Sequence, residues 1–226
     1  MKATSKLEFL SQFPLFDVLS KEELMYLDKF TETKTYKKYD HVFLEDEPSD
    51  TIFFLTKGVI KLGSHSNDGR EVIKNILHPH AMFGELGLVG EERRQGFAEV
   101  MNEPAECLLL KVADFRKLMD KNHQLCFNVI NLVGGKLRKA ESRLESLIFK
   151  DARARIIDFL KDSVEKRGRK VGFEMLLKHS LTQQDIANIT GTSRQTVTSV
   201  LNDLRKSDLI YFNRRSILIR DMQKLA

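Results

Sequence analysis

The part of the sequence that most constrains the fold is residues 182–205, near the C-terminal end of the chain. Thr182 is followed three residues later by Asp185, a pair whose side chains bond the free amides of a first helical turn. Gly191 then supplies the positive φ that a tight turn needs. Apolar residues follow at the i, i+3, i+4, i+7 spacing of a second helix, at Val197, Val200, Leu201 and Leu204. Two short helices around a glycine turn predict a helix-turn-helix.

The other face of the second helix is polar and suits a DNA duplex. We predict that its base-reading residues are Arg194, Gln195, Thr198 and Ser199. We predict that hydroxyl groups bind phosphates at Thr182, Thr192, Ser193 and Thr196. The alternative is a helical hairpin with a solvated face, in which Gln195 only completes a capping box with Thr192. The spacing of Ala187, Gly191, Val197 and Val200 fits both helices at once and favours DNA binding.

The segment after this motif indicates a wing. Two β-rich runs, 209–212 and 217–219, flank a turn that carries Arg214 and Arg215, which are placed for phosphates. The charge agrees. Of 37 Lys and Arg and 32 Asp and Glu, 16 and 9 fall from Lys150 onward, so the basic excess lies in the C-terminal third. This is typical of one nucleic-acid module attached to a near-neutral partner domain.

Composition bounds the remaining possibilities. The 226 residues allow one or two domains, and the two cysteines, Cys107 and Cys126, indicate a reducing compartment rather than a disulfide scaffold. No apolar run approaches the roughly 20 residues that span a bilayer. Residues 1–12 lack the apolar core of a signal peptide. We therefore expect a cytoplasmic protein without a membrane partner.

The first half of the chain changes from helical to strand patterning. Residues 7–30 predict short helices, with a capping box at Ser20 to Glu23. From residue 33 to residue 110, short β-rich runs alternate with turn residues, and residues 67–69 (Asn-Asp-Gly) predict a hairpin. Strands at this spacing predict an antiparallel barrel or jelly roll.

A glycine-rich segment, residues 82–90, interrupts the strands. Its three glycines allow backbone amides to converge on an anion or a sugar. Glu85 is placed to accept bonds from hydroxyls, and Arg93 or Arg94 to neutralise a phosphate. The alternative is a turn beside a solvated charge run. Just upstream, His78 and His80 are either solvent-facing loop residues or a metal or haem site.

A long helical pattern begins near Ala113. One row of apolar residues repeats by four and three over three heptads, at Cys126, Ile130, Val133, Leu137, Ala140, Leu144 and Leu147. We call this row the seam and predict that it packs against a second copy of the chain, with Cys126 a small packing residue. A second row, Leu118, Leu125, Val129 and Leu132, is predicted to pack on the helix's own domain. Gly134 and Gly135 indicate a close approach or a bend.

A strand-rich domain containing Phe83-Gly84-Glu85-Leu86, a long helix and a winged helix-turn-helix ending at Arg205-Lys-Ser-Asp-Leu-Ile210 resembles the Crp/Fnr family of transcription regulators. The resemblance covers nearly the whole chain. It implies an α+β fold with a cyclic-nucleotide-binding-like effector domain in residues 1–113, a dimerisation helix in 114–149 and a winged helix-turn-helix in 150–226. It also implies a homodimer on palindromic promoter sites, with RNA polymerase as a further partner.

The departures from that family concern the effector. In members that bind cyclic AMP, an Arg-Ser pair holds the phosphate; that pair falls here on Gln95-Gly96, or on Arg94-Gln95 if one residue slips. The Thr-Ser pair that caps the adenine falls on Ala140 and Glu141. We therefore expect that cyclic AMP is not the effector. No cysteine precedes Cys107, so no iron–sulfur cluster is expected, and haem at His78 or His80 stays a minor alternative.

The residues thus favour a dimeric DNA-binding regulator controlled by an unassigned small molecule. Its predicted pocket residues are Phe83, Gly84, Glu85, Leu86, Arg93, Arg94, Gln95, Ala140 and Glu141. The alternative is a nucleotide-binding regulatory module that acts through protein contacts. No enzyme is expected, because no pairing of nucleophile and base and no set of metal ligands appears in the sequence.

Overall fold

The computed structural model describes residues 6–101 and 103–225. The chain forms two compact units. The first contains the chain up to Gly69 and Lys74–Arg138, and the second contains Arg70–Ile73 and the chain from Lys139 onward. The helices are α1 Lys6–Leu10, α2 Lys21–Phe30, α3 Val112–Met119, α4 His123–Phe149, α5 Ala152–Arg167, α6 Gln183–Thr190 and α7 Arg194–Lys206. The strands are β1 Glu32–Tyr36, β2 His41–Phe43, β3 Thr51–Lys57, β4 Ile60–His65, β5 Glu71–Leu77, β6 Met82–Phe83, β7 Phe97–Val100, β8 Ala105–Lys111, β9 Arg169–Val171, β10 Glu174–Lys178, β11 Ile210–Phe212 and β12 Ser216–Ile219.

Short helices open the first unit, as predicted. α1 is followed by a 3-10 turn at Pro14–Phe16 and by α2. The capping box at the start of α2 is present: the Ser20 amide donates to Glu23 Oε2 at 2.7 Å, and the Glu23 amide donates to Ser20 Oγ at 3.2 Å. Phe13 and Phe16 bury their rings against Phe54 of β3. These apolar contacts fix the N-terminal helices on the sheet.

Eight strands form two antiparallel four-stranded sheets. Their orders are β1-β8-β3-β6 and β2-β7-β4-β5. This pairing of the first strand with the eighth and the second with the seventh is that of a jelly roll, one of the two folds that the strand pattern predicts. The predicted hairpin at 67–69 joins β4 to β5, with Gly69 at φ 79°. Inside, the rings of Phe53 and Phe83 stack with centroids 5.0 Å apart.

The helical pattern that begins near Ala113 is present but is divided. Two helices, α3 and α4, are separated by residues 120–122. Asn122 explains the break, because its Oδ1 accepts a bond from the amide of Leu125 at 3.1 Å and so caps the first turn of α4. Its Nδ2 donates to Glu23 Oε1 at 3.1 Å and to Val18 O at 3.4 Å. The division into domains at 113 and 149 stays a prediction.

The two apolar rows of α4 have opposite environments. Leu125 and Val129 are buried in the core of the first unit with Leu118, and Leu132 packs against that core. This confirms the predicted inner row. In the seam, Ile130, Leu137, Leu144 and Leu147 are 61%, 60%, 59% and 49% exposed.

Gly134 and Gly135 lie inside α4 and are not crowded by their own chain. A Cβ added at either position would meet no atom nearer than the Arg138 guanidinium, at 3.7 and 3.9 Å. Among the described residues, therefore, no close approach explains these two glycines.

The second unit contains a winged helix-turn-helix. Asp151 Oδ1 caps α5 by accepting from the Ala154 amide at 2.7 Å. α5 runs to Arg167 and β9 begins at Arg169, so the basic run at 166–170 contains only one connecting residue. The single residue between them is Gly168. A Cβ at this position would lie 2.5 Å from Val164 O, so a larger residue does not fit. The sheet order is β11-β12-β10-β9, so the predicted wing strands β11 and β12 pair as a hairpin. Within the described residues, no helix is long and apolar enough to cross a membrane.

Candidate nucleic-acid interface and effector site

The helix-turn-helix forms where local chemistry predicts it. The Thr182 amide and hydroxyl both donate to Asp185 Oδ2 at 2.7 Å, and the Asp185 amide donates back to Thr182 Oγ1 at 3.1 Å. Gly191 adopts φ 64° between the helices. Ser193, rather than Thr192, caps α7 by accepting from the Thr196 amide at 3.0 Å. No capping box involving Gln195 forms at this helix start.

An arginine that the sequence analysis missed supports the turn. Arg155 of α5 donates from Nε to Thr190 O at 2.9 Å and from Nη2 to Gly191 O at 3.1 Å. The last carbonyls of a helix have no partner inside it, so this fork satisfies the end of α6. A single arginine in a helical pattern gives no local signal for this role, because its partners lie 35 and 36 residues further along the chain.

The predicted base-reading face divides into two groups. Arg194, Gln195 and Ser199 are exposed and have no side-chain partner among the described residues. Their polar groups are therefore free to bind a ligand. Thr198 is half-buried instead, and its hydroxyl bonds Gln183 Oε1 at 2.6 Å.

The hydroxyls predicted to bind phosphates are mostly engaged in caps. Thr182 and Ser193 cap α6 and α7, and Ser193 Oγ lies 2.8 Å from Thr196 Oγ1. Thr192 is half-buried in the turn. A capping hydroxyl oxygen retains a lone pair, but these bonds already fix its orientation.

The wing presents two arginines to solvent. Asn213 Oδ1 accepts from the amides of Arg215 and Ser216 at 2.9 and 3.0 Å and so closes the turn between β11 and β12. Arg214 and Arg215 are exposed at its tip. Phosphate contacts beside a recognition helix need such cations. The structure therefore puts cations at the wing tip, where the sequence predicts them.

In the jelly roll, the glycine-rich segment is a tight turn with little free space. Gly84 and Gly90 have φ 77° and 106°, in the left-handed region. A Cβ at Gly87 would lie 2.1 Å from Ser49 O, so no larger residue fits there. The glycines thus serve the backbone geometry of the turn that carries Glu85.

Arg94 lies beneath this turn and is directed inward. It is 4% exposed, and it donates from Nη1 to Gly84 O at 3.1 Å and from Nη2 to Thr51 O. Its guanidinium lies 4.5 Å from the Phe43 ring centroid and 3.7 Å from Glu91 Oε2. Burial lowers the pKa of Arg94, while the nearby carboxylates, Glu91 first, oppose that shift.

Glu85 is also paired. This carboxylate is 4% exposed, and its Oε1 lies 2.7 Å from Lys136 Nζ of α4. Lys136 also donates to Met82 O at 3.4 Å. A cyclic phosphate at this turn would find Arg94 bonded to two carbonyls, and a ribose hydroxyl would find Glu85 bound to Lys136. These residues fit a bound cyclic nucleotide only if both sets of bonds rearrange.

The other predicted pocket residues differ from these two. Arg93 is exposed and pairs with Asp46 at 3.2 Å, so it does not join Arg94. The two arginines thus have different surroundings, and which of them neutralises a phosphate stays a prediction. Phe83 is fully buried, and Leu86 is 42% exposed. The amide of Gln95 donates to Glu91 Oε1 at 3.4 Å. Ala140 and Glu141 are exposed on α4, and their place in a pocket stays a prediction.

The two histidines show no metal site. The His80 ring stacks on Phe9 with centroids 4.8 Å apart, and its backbone takes φ 69°. Across residues 6–101 and 103–225, no group of three or more His, Cys, Asp or Glu side chains could hold a metal ion.

A jelly roll with a buried Gly-Glu turn, a long helix and a winged helix-turn-helix together define a transcription regulator of the nucleotide-binding-domain class. Comparison with known proteins agrees. The family model of the cyclic nucleotide-binding domain matches residues 33–122, and that of the Crp-like helix-turn-helix domain matches residues 154–226. The chain belongs to the Crp/Fnr family of DNA-binding transcription regulators.

Similar proteins carry different names. A CRP-like cAMP-activated global transcriptional regulator of Mycobacterium tuberculosis is 28% identical over 219 residues, 97% of each chain. An anaerobic regulatory protein of Bacillus subtilis is 25% identical over 205 residues, 90% of this chain and 86% of that protein. A CooA mutant from Carboxydothermus hydrogenoformans is similar in structure with a TM-score of 0.77 at 24% identity, covering 100% of this chain and 95% of that one. This last likeness concerns the fold alone.

Proposed function

We propose that the chain works as a homodimer that binds a palindromic operator through α7. The observation that carries this proposal is the exposed, unpaired set Arg194, Gln195 and Ser199 at the recognition helix. Free donors and acceptors at the start of such a helix are what a base edge in the major groove requires. Arg214 and Arg215 at the wing tip would add backbone contacts. As a promoter-binding regulator in the cytoplasm, the protein would have RNA polymerase as a partner.

The seam supports the dimer. Four large apolar side chains of the seam are 49% to 61% exposed in the single chain, although the same helix buries Leu125 and Val129. Exposed apolar residues at a spacing of four and three are the pattern of a helix that packs against another helix. The uncrowded glycines 134 and 135 would allow a second helix to approach closely.

The first prediction concerns this dimer. The double substitution Leu137→Glu and Leu144→Glu would place unpaired charges in the seam. We therefore expect a monomer with at least 100-fold weaker operator binding. Sedimentation at micromolar concentration and a titration with duplex DNA measure both. The control is Glu at Lys139, exposed on the same helix, which should keep the dimer. A wild-type protein that sediments as a monomer, or binds no duplex, contradicts the proposal and favours a module acting through protein contacts.

We further propose that a small molecule other than cyclic AMP controls the dimer from the jelly roll. Arg94 and Glu85 have internal partners, and neither an Arg-Ser pair nor a Thr-Ser pair stands at the corresponding positions. One relative is named a cAMP-activated regulator and another an anaerobic regulatory protein. Membership of the family therefore does not fix the ligand. An anion would have to compete with Gly84 O and Thr51 O for Arg94, at the cost of leaving buried carbonyls unpaired.

The second prediction tests this ligand assignment. Titration calorimetry should show no micromolar binding of cyclic AMP, and operator affinity should not change in its presence. Mass spectrometry of the purified protein, released by denaturation, would detect a retained ligand. A micromolar dissociation constant together with tighter operator binding would refute the assignment. Binding without a change in operator affinity would leave it intact, because a ligand shifts an equilibrium only through differential affinity.

A further inference from the structure

The hydroxyl of Thr198 is committed to a side chain of the preceding helix. Thr198 Oγ1 lies 2.6 Å from Gln183 Oε1 and 2.9 Å from the carbonyl of Arg194, one turn earlier in α7. A hydroxyl has one proton to donate. The two acceptors share it, so Thr198 has no proton left for a base or a phosphate.

Gln183 is the first residue of α6 and is half-buried against α7. Its carbonyl oxygen faces Thr198, so its amide nitrogen is directed away. That nitrogen carries two donors, and it has no acceptor among the described residues. The first helix of a helix-turn-helix crosses the DNA backbone while the second lies in the groove. An amide donor at this position suits a phosphate oxygen.

We propose that Gln183 binds a DNA phosphate and that Thr198 is a positioning residue that orients the Gln183 amide rather than a base-reading residue. The inference rests on the proposed DNA binding and replaces the predicted role of Thr198. The amide is fixed by one short bond from the recognition helix, so its rotation is restricted before DNA arrives. A pre-oriented donor loses less conformational entropy on binding.

The neighbouring glutamine provides a matched control. Gln184 is exposed, and its Nε2 donates to Asn188 Oδ1 of the same helix at 2.8 Å. It has the same side chain in the same helical turn, but its amide bonds another side chain of α6. We expect Gln184→Ala to change DNA affinity by less than twofold.

The test is a double-mutant cycle on two duplexes, one selected by the wild-type protein from a randomised palindromic library and one of random sequence and equal length. Gln183→Ala should weaken binding to both by about threefold to tenfold, the range of one hydrogen bond. Thr198→Val should weaken binding to both equally and leave the base preference unchanged. The double variant should match the single variants within twofold, because the two residues form one unit.

Two conservative variants separate this role from a loss of folding. Thr198→Ser keeps the hydroxyl and should bind within twofold of wild type. Gln183→Glu keeps the shape, loses the donors and brings negative charge to the phosphate, so it should bind more weakly than Gln183→Ala at an unchanged thermal midpoint. Multiplicative losses in the double variant, or relaxed preference at one base pair in Thr198→Val alone, would overturn the inference. A wild-type protein that binds neither duplex overturns the proposed function as well.

Discussion

Arg94 and Arg194 each lie in a segment that the sequence marks for ligand binding, but their surroundings are opposite. Arg194 is exposed and unpaired among the described residues. Arg94 is 4% exposed and donates to Gly84 O and Thr51 O. The same residue type is therefore free to bind a partner in one domain and holds the domain together in the other.

The difference shows which of the two arginines is available to bind a ligand. An exposed guanidinium that bonds a guanine gives up only its bonds to water. A guanidinium that already bonds two carbonyls must give up those bonds to bind an anion. Its net gain is only the difference between the new bonds and the bonds lost. The recognition helix thus leaves the charge of Arg194 uncompensated, whereas the jelly roll uses the charge of Arg94 for its own stability.

The largest effect that would test this comparison is on stability. Arg94→Ala leaves the carbonyls of Gly84 and Thr51 and the Glu91 carboxylate without their cation, so we expect a loss of about 3 kcal/mol in unfolding free energy. Scanning calorimetry measures it. Arg93→Ala is the control: Arg93 is exposed and pairs only with solvated Asp46, so its loss should be under about 0.5 kcal/mol. Unchanged stability in Arg94→Ala with loss of a ligand response would make Arg94 a binding residue instead.

The next effect is on DNA binding. We expect Arg194→Ala to lose about 1–3 kcal/mol on the selected operator, to relax the preference at one base pair and to keep its thermal midpoint. Lys206→Ala, exposed in the last turn of the same helix, should leave the preference intact. Equal losses on operator and random DNA would reassign Arg194 to the backbone.

The smallest effect concerns pH. Burial lowers the pKa of His179 below its ordinary 6.5, and Arg167 acts in the same direction, while the main chain at Leu181 opposes it. The unfolded chain takes up the proton first as the pH falls, so the stabilisation is fully present above pH 6.5 and is lost below it. Denaturant unfolding at pH 7.5 and 5.5 should show this loss, and His179→Gln should reduce it. His123→Gln, exposed on α4, should not.

The sequence predicts best where the structure depends on near neighbours. The caps at Ser20 and Thr182 and the turn at Gly191 are set by residues within four positions, and all three form as expected. The Phe-Gly-Glu-Leu segment also lies at a turn of a strand-rich domain, as its glycines indicate. Local hydrogen-bonding chemistry is sufficient for such features.

The failures depend on distant partners. Asn122 caps the start of α4 at Leu125, but its side chain is held in place by bonds to Val18 O and Glu23 Oε1, which are 104 and 99 residues away. Arg94 turns inward to Thr51 O, 43 residues away. A charge run shows no difference between Arg93 and Arg94, since only the folded sheet decides which one is covered. The pairing of Gln183 with Thr198 is hidden for the same reason.

The turn that carries Glu85 also limits how the chain can diverge. Gly87 has no room for even one added carbon, and Gly84 combines φ 77° with Thr51 O and Arg94 Nη1 at 2.9 and 3.0 Å from any added Cβ. Gly90 has open space, so only its φ of 106° restricts it. Under the proposed effector control, descendants of this gene would alter the ligand preference at Leu86 or Gln95 while the two inner glycines, Gly84 and Gly87, remain invariant. New ligand responses would then arise by changing residues around a fixed backbone turn.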